Sequence, residues 1–134
     1  MSSPRRAVLD TSVLIAVESE RRVDESRLPD EAAVSVVTLA ELQAGVLVAS
    51  DSETRARRME TLGRLSYVEV LDVDEHAASE WARLRVHLAE QGRRVNVNDL
   101  WIAASAVSHG LPIITEDDDF DPLDGARGLV VIHV

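Results

Sequence analysis

The feature that most constrains this chain is an alternation: short apolar runs, each too brief for a helix, are separated by longer segments with helical spacing. "RAVLD" (about 6–10) is apolar and bounded by charge, and it reads as a strand. "TSVLIAVESER" (about 12–21) follows, with Val13, Leu14 and Val17 at helical spacing. The polar "VDESRLPDEA", which holds Pro29, reads as a loop. "AVSVV" (about 33–37) is β-branched and short, a second strand. Two helices are expected next: "TLAELQAGVLVAS" (about 38–50) and "DSETRARRMETLGRL" (about 51–65), the latter with Met59, Leu62 and Leu65 as its apolar stripe. "YVEVLDV" (about 67–73) is a third strand. The longest helix is "DEHAASEWARLRVHLAEQG" (about 74–92), with Ala77, Ala78, Trp81, Leu84 and Leu88 facing inward and Gly92 as a C′ cap. "NVNDLWIAASAVSHG" (about 97–110) also ends on a glycine, and "LPIIT" and "LVVIHV" (about 129–134) supply a fourth and a fifth strand. Strands separated by helices call for a mostly parallel sheet of four or five strands covered on both faces, a three-layer α/β/α arrangement. In such open sheets ligands bind beyond the carboxyl ends of the strands.

Length and composition narrow the chemistry. With 134 residues the chain is expected to form a single domain spanning 1–134, with one real core. A hydrophobic fraction of 46% is too high for a disordered chain. No apolar run is long enough for a membrane span. The N-terminal "MSSPRRAVLD" has too short an apolar core for a signal peptide, so a cytoplasmic protein is expected. The absence of cysteine excludes disulfides, thiolate zinc sites and cysteine nucleophiles. All 14 basic residues are arginine, which removes the P-loop lysine and any Schiff base. A net charge of −10 argues against holding nucleic acid by overall attraction, and suits a protein that binds cations or a basic partner.

Against that charge, "TEDDDFD" is unexpected: Glu116, Asp117, Asp118, Asp119 and Asp121 crowd together after "LPII". Two carboxylates 4 Å apart repel by roughly 4 kcal/mol at an effective dielectric of 20. Other acids stand in related places. Asp10 follows the first strand and could cap the next helix. Glu41, three residues after Thr38, makes a capping-box pattern. Asp99 lies in a first helical turn, where the dipole favours it and Asn96 or Asn98 could cap. Each has an ordinary structural explanation. Jointly they fall at helix starts or strand ends, which is one edge of a parallel sheet. Acids that converge there cannot all stay ionised unaided, because repulsion raises one or more pKa values. A divalent cation with oxygen ligands resolves the conflict, and Mg²⁺ or Mn²⁺ in such a site suits phosphate chemistry by lowering the pKa of water. His76, His87, His109 and His133 are scattered, with none paired at metal-ligand spacing, and His109 reads as a helix-end charge.

"VLDTSVLIA", "TLAELQAG", "NDLWIAASA" and "ITEDDDF" together resemble the PIN-domain ribonucleases, above all the VapC-type toxins of bacterial VapBC toxin–antitoxin pairs. The likeness runs from about residue 6 to the C-terminus. It implies a PIN-like fold with Mg²⁺ or Mn²⁺ in an acidic pocket and endonucleolytic cleavage of RNA by metal-activated water. By position, Asp10, Glu41, Asp99 and Asp117 would be the catalytic acids, with Asp119 as a further metal ligand. Thr115 would orient ligands or water, Phe120 would pack, and Asp118 would point away. The resemblance also implies a VapB-type antitoxin whose arginine-bearing tail reaches the pocket, a homodimer, and a heterotetramer or larger assembly with the antitoxin. Exposed apolar residues on the helices between Thr38 and Arg64 are candidate dimer contacts, whereas Trp81 and Trp101 are expected in the core. Arg55, Arg57, Arg58 and Arg64 on one helix, and Arg93 and Arg94 before "NVND", are candidates for the RNA backbone.

Three other readings compete. A signalling receiver domain also carries acids at strand ends, but needs a lysine that this chain lacks. A catalytically silent PIN-fold binding or scaffold module would not need the acids that are present. A metal-dependent nuclease acting on DNA fits the same residues, and only the resemblance favours RNA.

Overall fold

A computed structural model describes residues 3–134. Five strands form one sheet: β1 (Arg6–Leu9), β2 (Glu31–Ser35), β3 (Glu69–Leu71), β4 (Ile113–Thr115) and β5 (Val131–His133). Their order is β3-β2-β1-β4-β5, and every pairing is parallel. Five helices connect them: α1 (Thr11–Glu18), α2 (Val36–Leu47), α3 (Ser52–Arg64), α4 (Glu75–Glu90) and α5 (Val97–Ser108). The chain winds outward from β1 through β2 to β3, then returns to lay β4 on the other side of β1. The crevice between β1 and β4 is therefore the topological switch point, where connections leave in opposite directions and a site can open.

Strand alternation divides the core. Val8, Ala33 and Ile113 face one side, where they pack with Leu84, Leu88, Ile102 and Phe120. Ala7, Val34 and Ile114 face the other, against Val13 of α1, Leu42 of α2 and Leu65 after α3. This is period-two alternation with both faces apolar, as a covered parallel sheet requires. Among the described residues no helix is long and apolar enough to cross a membrane.

Several local expectations are corrected. The second strand starts and ends two residues early, because the Ser35 side chain accepts the amide of Val37 and starts α2 at Val36. An N-cap bond here outweighs the β-propensity of Val36 and Val37. Thr38 is thus inside the helix, and the capping box with Glu41 does not form. Val17, Met59 and Ala78, expected on inner faces, are exposed. Thr61 takes the inward position on α3, its hydroxyl donating to Glu18 at 2.8 Å. Trp81 and Trp101 are half-buried and stacked, ring centroids 5.1 Å apart, against the α4–α5 side of the core.

The ends of α4 and α5 match their glycines. Gly92 and Gly110 adopt φ of 64° and 66°. After Gly92 the amide of Arg93 reaches back to Leu88 O at 2.9 Å, and after Gly110 that of Leu111 reaches Ala106 O at 2.9 Å. Both are Schellman closures, which satisfy the last carbonyls and fix the exit direction of the chain.

Candidate active site

Asp10 occupies the N-cap position of α1, but its side chain makes no capping bond. It turns instead toward the β1–β4 crevice. Its backbone amide extends the ladder to Ile114 O at 2.9 Å, so β1 and β4 deliver their last residues side by side. Across the crevice the Thr115 hydroxyl lies 3.0 Å from Asp10 Oδ2 and 3.3 Å from Asp117 Oδ1. The Ser12 hydroxyl donates to the same Asp10 oxygen at 2.6 Å and accepts the amide of Glu116 at 3.1 Å. Asp10 is 3% exposed and Thr115 is fully buried. Burial raises the Asp10 pKa, the Ser12 bond opposes it, and the charge of Asp117 raises it again.

Glu41 arrives from α2. Its Oε1 accepts the hydroxyl proton of Thr11 at 2.8 Å, and Thr11 Oγ1 lies 3.0 Å from Thr38 Oγ1. Since a hydroxyl has one proton, Thr38 donates to Thr11 and Thr11 to Glu41. Thr11 thus ties the residue after Asp10 to the second acid.

Asp99 arrives from the first turn of α5, where Asn96 caps the helix by accepting the amide of Asn98 at 2.9 Å. A first-turn position favours an ionised carboxylate by only about 0.3–1 kcal/mol. Here it is overwhelmed. Burial, then the charges of Asp10, Asp119, Asp117 and Glu41, push the Asp99 pKa from 3.8 to about 7. The fields of acids from three other chain segments add at this one carboxyl. Sequence order had separated them; the sheet edge assembles them.

The acidic heptad divides into distinct roles. Glu116 pairs with Arg21 at 3.0 Å. Asp117 faces Thr115 and also accepts the amide of Asp119 at 3.0 Å. The neighbouring Asp117 charge raises the pKa of exposed Asp119. Asp118 is 93% exposed and points outward. Phe120 is fully buried, and its side chain contributes about 1.5–3 kcal/mol that pins the loop to the core. Asp121 lies 2.9 Å from His133 Nε2, with Asp118 at 3.8 Å. The three offer oxygen and nitrogen atoms close enough to share an ion, a grouping the scattered histidines did not announce. All three are solvent-accessible; His133 stands beside Thr115 in the β4–β5 register, but no side-chain hydrogen bond joins the three to the Asp10–Thr115 network among the described residues.

Ser12, Thr11 and Thr38 were not anticipated. The signal for the first two was the "DTS" that follows the strand, hydroxyls directly beside an acid. The four candidate arginines on α3 each have a partner within the chain, Arg57 the Thr54 hydroxyl at 3.4 Å. Arg55 and Arg58 donate to the carbonyls of Ala49 and Gly45, and Arg64 pairs with Glu60. These side chains staple α3 to α2 or to itself.

A family model described as the PIN domain matches residues 7–126. Ribonuclease VapC5 of Mycobacterium tuberculosis is 56% identical over 133 residues, covering 99% of this chain and 98% of that protein. Ribonuclease VapC4 of the same organism is 46% identical over 116 residues, 87% of this chain and 89% of that one. The crystal structure of VapBC-5, a toxin–antitoxin system of M. tuberculosis, contains a chain that superposes with a TM-score of 0.92 at 55% identity, covering 98% of this chain and all of that one.

Proposed function

The chain belongs to the PIN-domain family and, within it, to the VapC ribonucleases, and from that membership we propose that it is a Mg²⁺- or Mn²⁺-dependent endoribonuclease acting in the cytoplasm. It serves as the toxin of a type II toxin–antitoxin pair. The observation that carries the proposal is the meeting of Asp10, Glu41, Asp99 and Asp117 around the β1–β4 crevice, where burial first, and then the charges of the other acids, raise the Asp99 pKa to about 7.

The residues fit a hard divalent cation. Every donor in the crevice is oxygen, from carboxylates and hydroxyls. No arginine or histidine forms an ion pair with Asp10, Glu41, Asp99 or Asp117 among the described residues. The negative charge is therefore uncompensated by the protein itself. Asp10, Asp99, Glu41 and Asp117 would hold the ion, with Asp119 at the rim. When bound, the ion supplies an acidified water and neutralises charge on the phosphodiester.

The chain's own side chains fix the geometry. Ser12 and Thr115 hold Asp10 Oδ2 from two directions, so the carboxylate cannot rotate to cap α1. Thr115 couples Asp10 to Asp117 across the crevice. Thr11 donates to Glu41 Oε1 and so orients it. Such locked ligands need little reorganisation when a phosphate arrives.

A VapB-type antitoxin is the protein partner, its basic tail matched to a chain of charge −10. Leu47, Val48, Met59 and Tyr67, all exposed, offer apolar contacts for it or for a second copy in a homodimer. The test uses purified protein, structured RNA and Mg²⁺, with EDTA and Asp10→Asn as controls. Cleavage that both controls abolish is expected. Cleavage surviving EDTA overturns the metal mechanism; cutting of DNA alone reassigns the substrate, and no cutting at all leaves a silent module.

A further inference from the structure

Fourteen arginines serve a chain with 24 acids, so most find a partner close at hand. Arg6, Arg21, Arg64, Arg83 and Arg127 pair with glutamates, and Arg27, Arg55 and Arg58 donate to backbone carbonyls. Arg93, Arg94 and Arg85 make no side-chain hydrogen bond or ion pair among the described residues, and Arg85 lies over the Trp81 ring, 5.6 Å from its centroid. All three are exposed, and all three line one concavity of about 680 Å³ between the end of α4 and the start of α5. Among the described residues no carboxylate lines it. Its floor is apolar, from buried Leu88 and Leu100, with Val95 and exposed Val97 beside them. On a surface this acidic, three adjacent cations with no acid among them are a place built for an anion.

The position ties it to the chemistry. Val97 and Leu100 flank Asp99 in the first turn of α5, so the concavity and the acidic crevice share that turn. The Schellman closure at Gly92 sends Arg93 and Arg94 out along this wall rather than onward with α4. We propose that this groove holds the sugar–phosphate backbone of single-stranded RNA beside the cleavage crevice, with the arginine forks on phosphate and the apolar floor under a base or ribose. The inference rests on the nuclease reading and names its substrate track. Guanidinium forks suit phosphate by two-point contact, and an acidic crevice needs such a track to hold a polyanion near it.

The test measures binding of a labelled oligouridine by anisotropy in EDTA, using the Asp10→Asn protein so that nothing is cut. Adding Arg93→Ala and Arg94→Ala should weaken binding by about tenfold or more at low salt. The slope of log affinity against log salt should fall by about 1.4, since each single-strand phosphate contact contributes about 0.7. Arg93→Lys with Arg94→Lys should keep most of the slope. The comparison variant, Arg5→Ala with Arg22→Ala, removes equal charge from exposed positions elsewhere and should change both quantities far less. In cleavage by the otherwise intact protein, the 93/94 pair should raise KM with little change in kcat. Equal affinity and slope after the 93/94 change, or equal losses from the 5/22 change, overturns the groove. If the intact protein cuts RNA with KM untouched by the 93/94 change, the groove fails and the nuclease stands. If it cuts no RNA yet the Asp10→Asn protein binds oligouridine through these arginines, the groove stands and the nuclease fails.

Discussion

Asp10 and Asp74 hold the same place relative to a helix, and they behave in opposite ways. Asp74 caps α4, accepting the amide of Ala77 at 2.9 Å, and this bond lowers its pKa. Asp51 does the same for α3 through the amide of Thr54 at 2.8 Å. Asp10 precedes α1 yet caps nothing; it is buried, and its pKa is raised. Asp99, in the first turn of α5, is raised further, to about 7. The first pair lies in water at helix starts away from the crevice, where an acid lowers the energy of the fold. The second lies at the switch point, where hydroxyls and packing hold acids against one another. A carboxylate whose charge is disfavoured, in the same kind of position where others cap a helix, contributes nothing to folding that explains its placement, which is why Asp10 and Asp99 are the site candidates.

The two classes should part most widely in catalysis. Asp10→Asn and Asp99→Asn should each lower cleavage by about 10³-fold or more, a loss of several kcal/mol of charge stabilisation at the phosphate. Asp51→Ala and Asp74→Ala should leave cleavage near the parent rate. A crevice variant that retains full activity would dissolve the distinction.

Metal binding should separate them next. At Mn²⁺ about 100 times its Kd, linkage stabilises the folded chain by about 2.7 kcal/mol. The resulting rise in Tm should vanish in Asp10→Asn and survive in Asp74→Ala, as calorimetry or fluorescence melting would show. Without metal the crevice acids should also impose a pH dependence. Between 3.8 and about 7, Asp99 binds more protons in the folded chain than in the unfolded one. Stability of the metal-free protein should therefore fall as pH rises through that window, and Asp99→Asn should flatten this part of the profile. The caps act in the other direction, since their pKa values are lowered: their contribution is present above the ordinary carboxylate value and is lost as pH falls through the lowered one. Saturating Mn²⁺ should cancel the fall seen at neutral pH.

How far these sites were legible in the sequence follows from range. The alternation of strand and helix was local, and it pointed to the α/β class because short apolar runs and longer helical segments take turns along the chain. The C-terminal glycines at Gly92 and Gly110 and the cap at Asn96 were local too. Which acids meet was only conditional, because it depended on β4 returning beside β1, a pairing between residues more than a hundred positions apart. The Ser12 and Thr115 hydroxyls, 103 positions apart and 3.2 Å from each other, are invisible to any window along the chain. Capping patterns misled for the same reason: Thr38 and Glu41 match a capping box, but Ser35 starts the helix earlier and Thr11 claims the glutamate. Met59 and Ala78 fitted an apolar stripe, yet nothing covers the side of the helix they occupy in this chain.

The smallest effect belongs to the caps, and it has a definite sign. Replacing Asp74 by alanine leaves the Ala77 amide without its acceptor at the first turn of a 16-residue helix. Such a deletion should lower Tm by about 4 °C, from the typical worth of an N-cap and the size of the domain. Asn at the same position should restore most of it, since its side-chain oxygen also accepts. At Asp10 asparagine should act in the other direction in metal-free protein, whereas alanine would leave the Ser12 and Thr115 hydroxyls without their acceptor. Alanine there breaks no cap, and asparagine removes a buried charge while still accepting from Ser12 and Thr115, so the Asp10→Asn chain should melt no lower than the parent in EDTA. If Asp10→Asn proves destabilising by as much as Asp74→Ala, then Asp10 is a structural acid like the others, and its unused cap position has been misjudged.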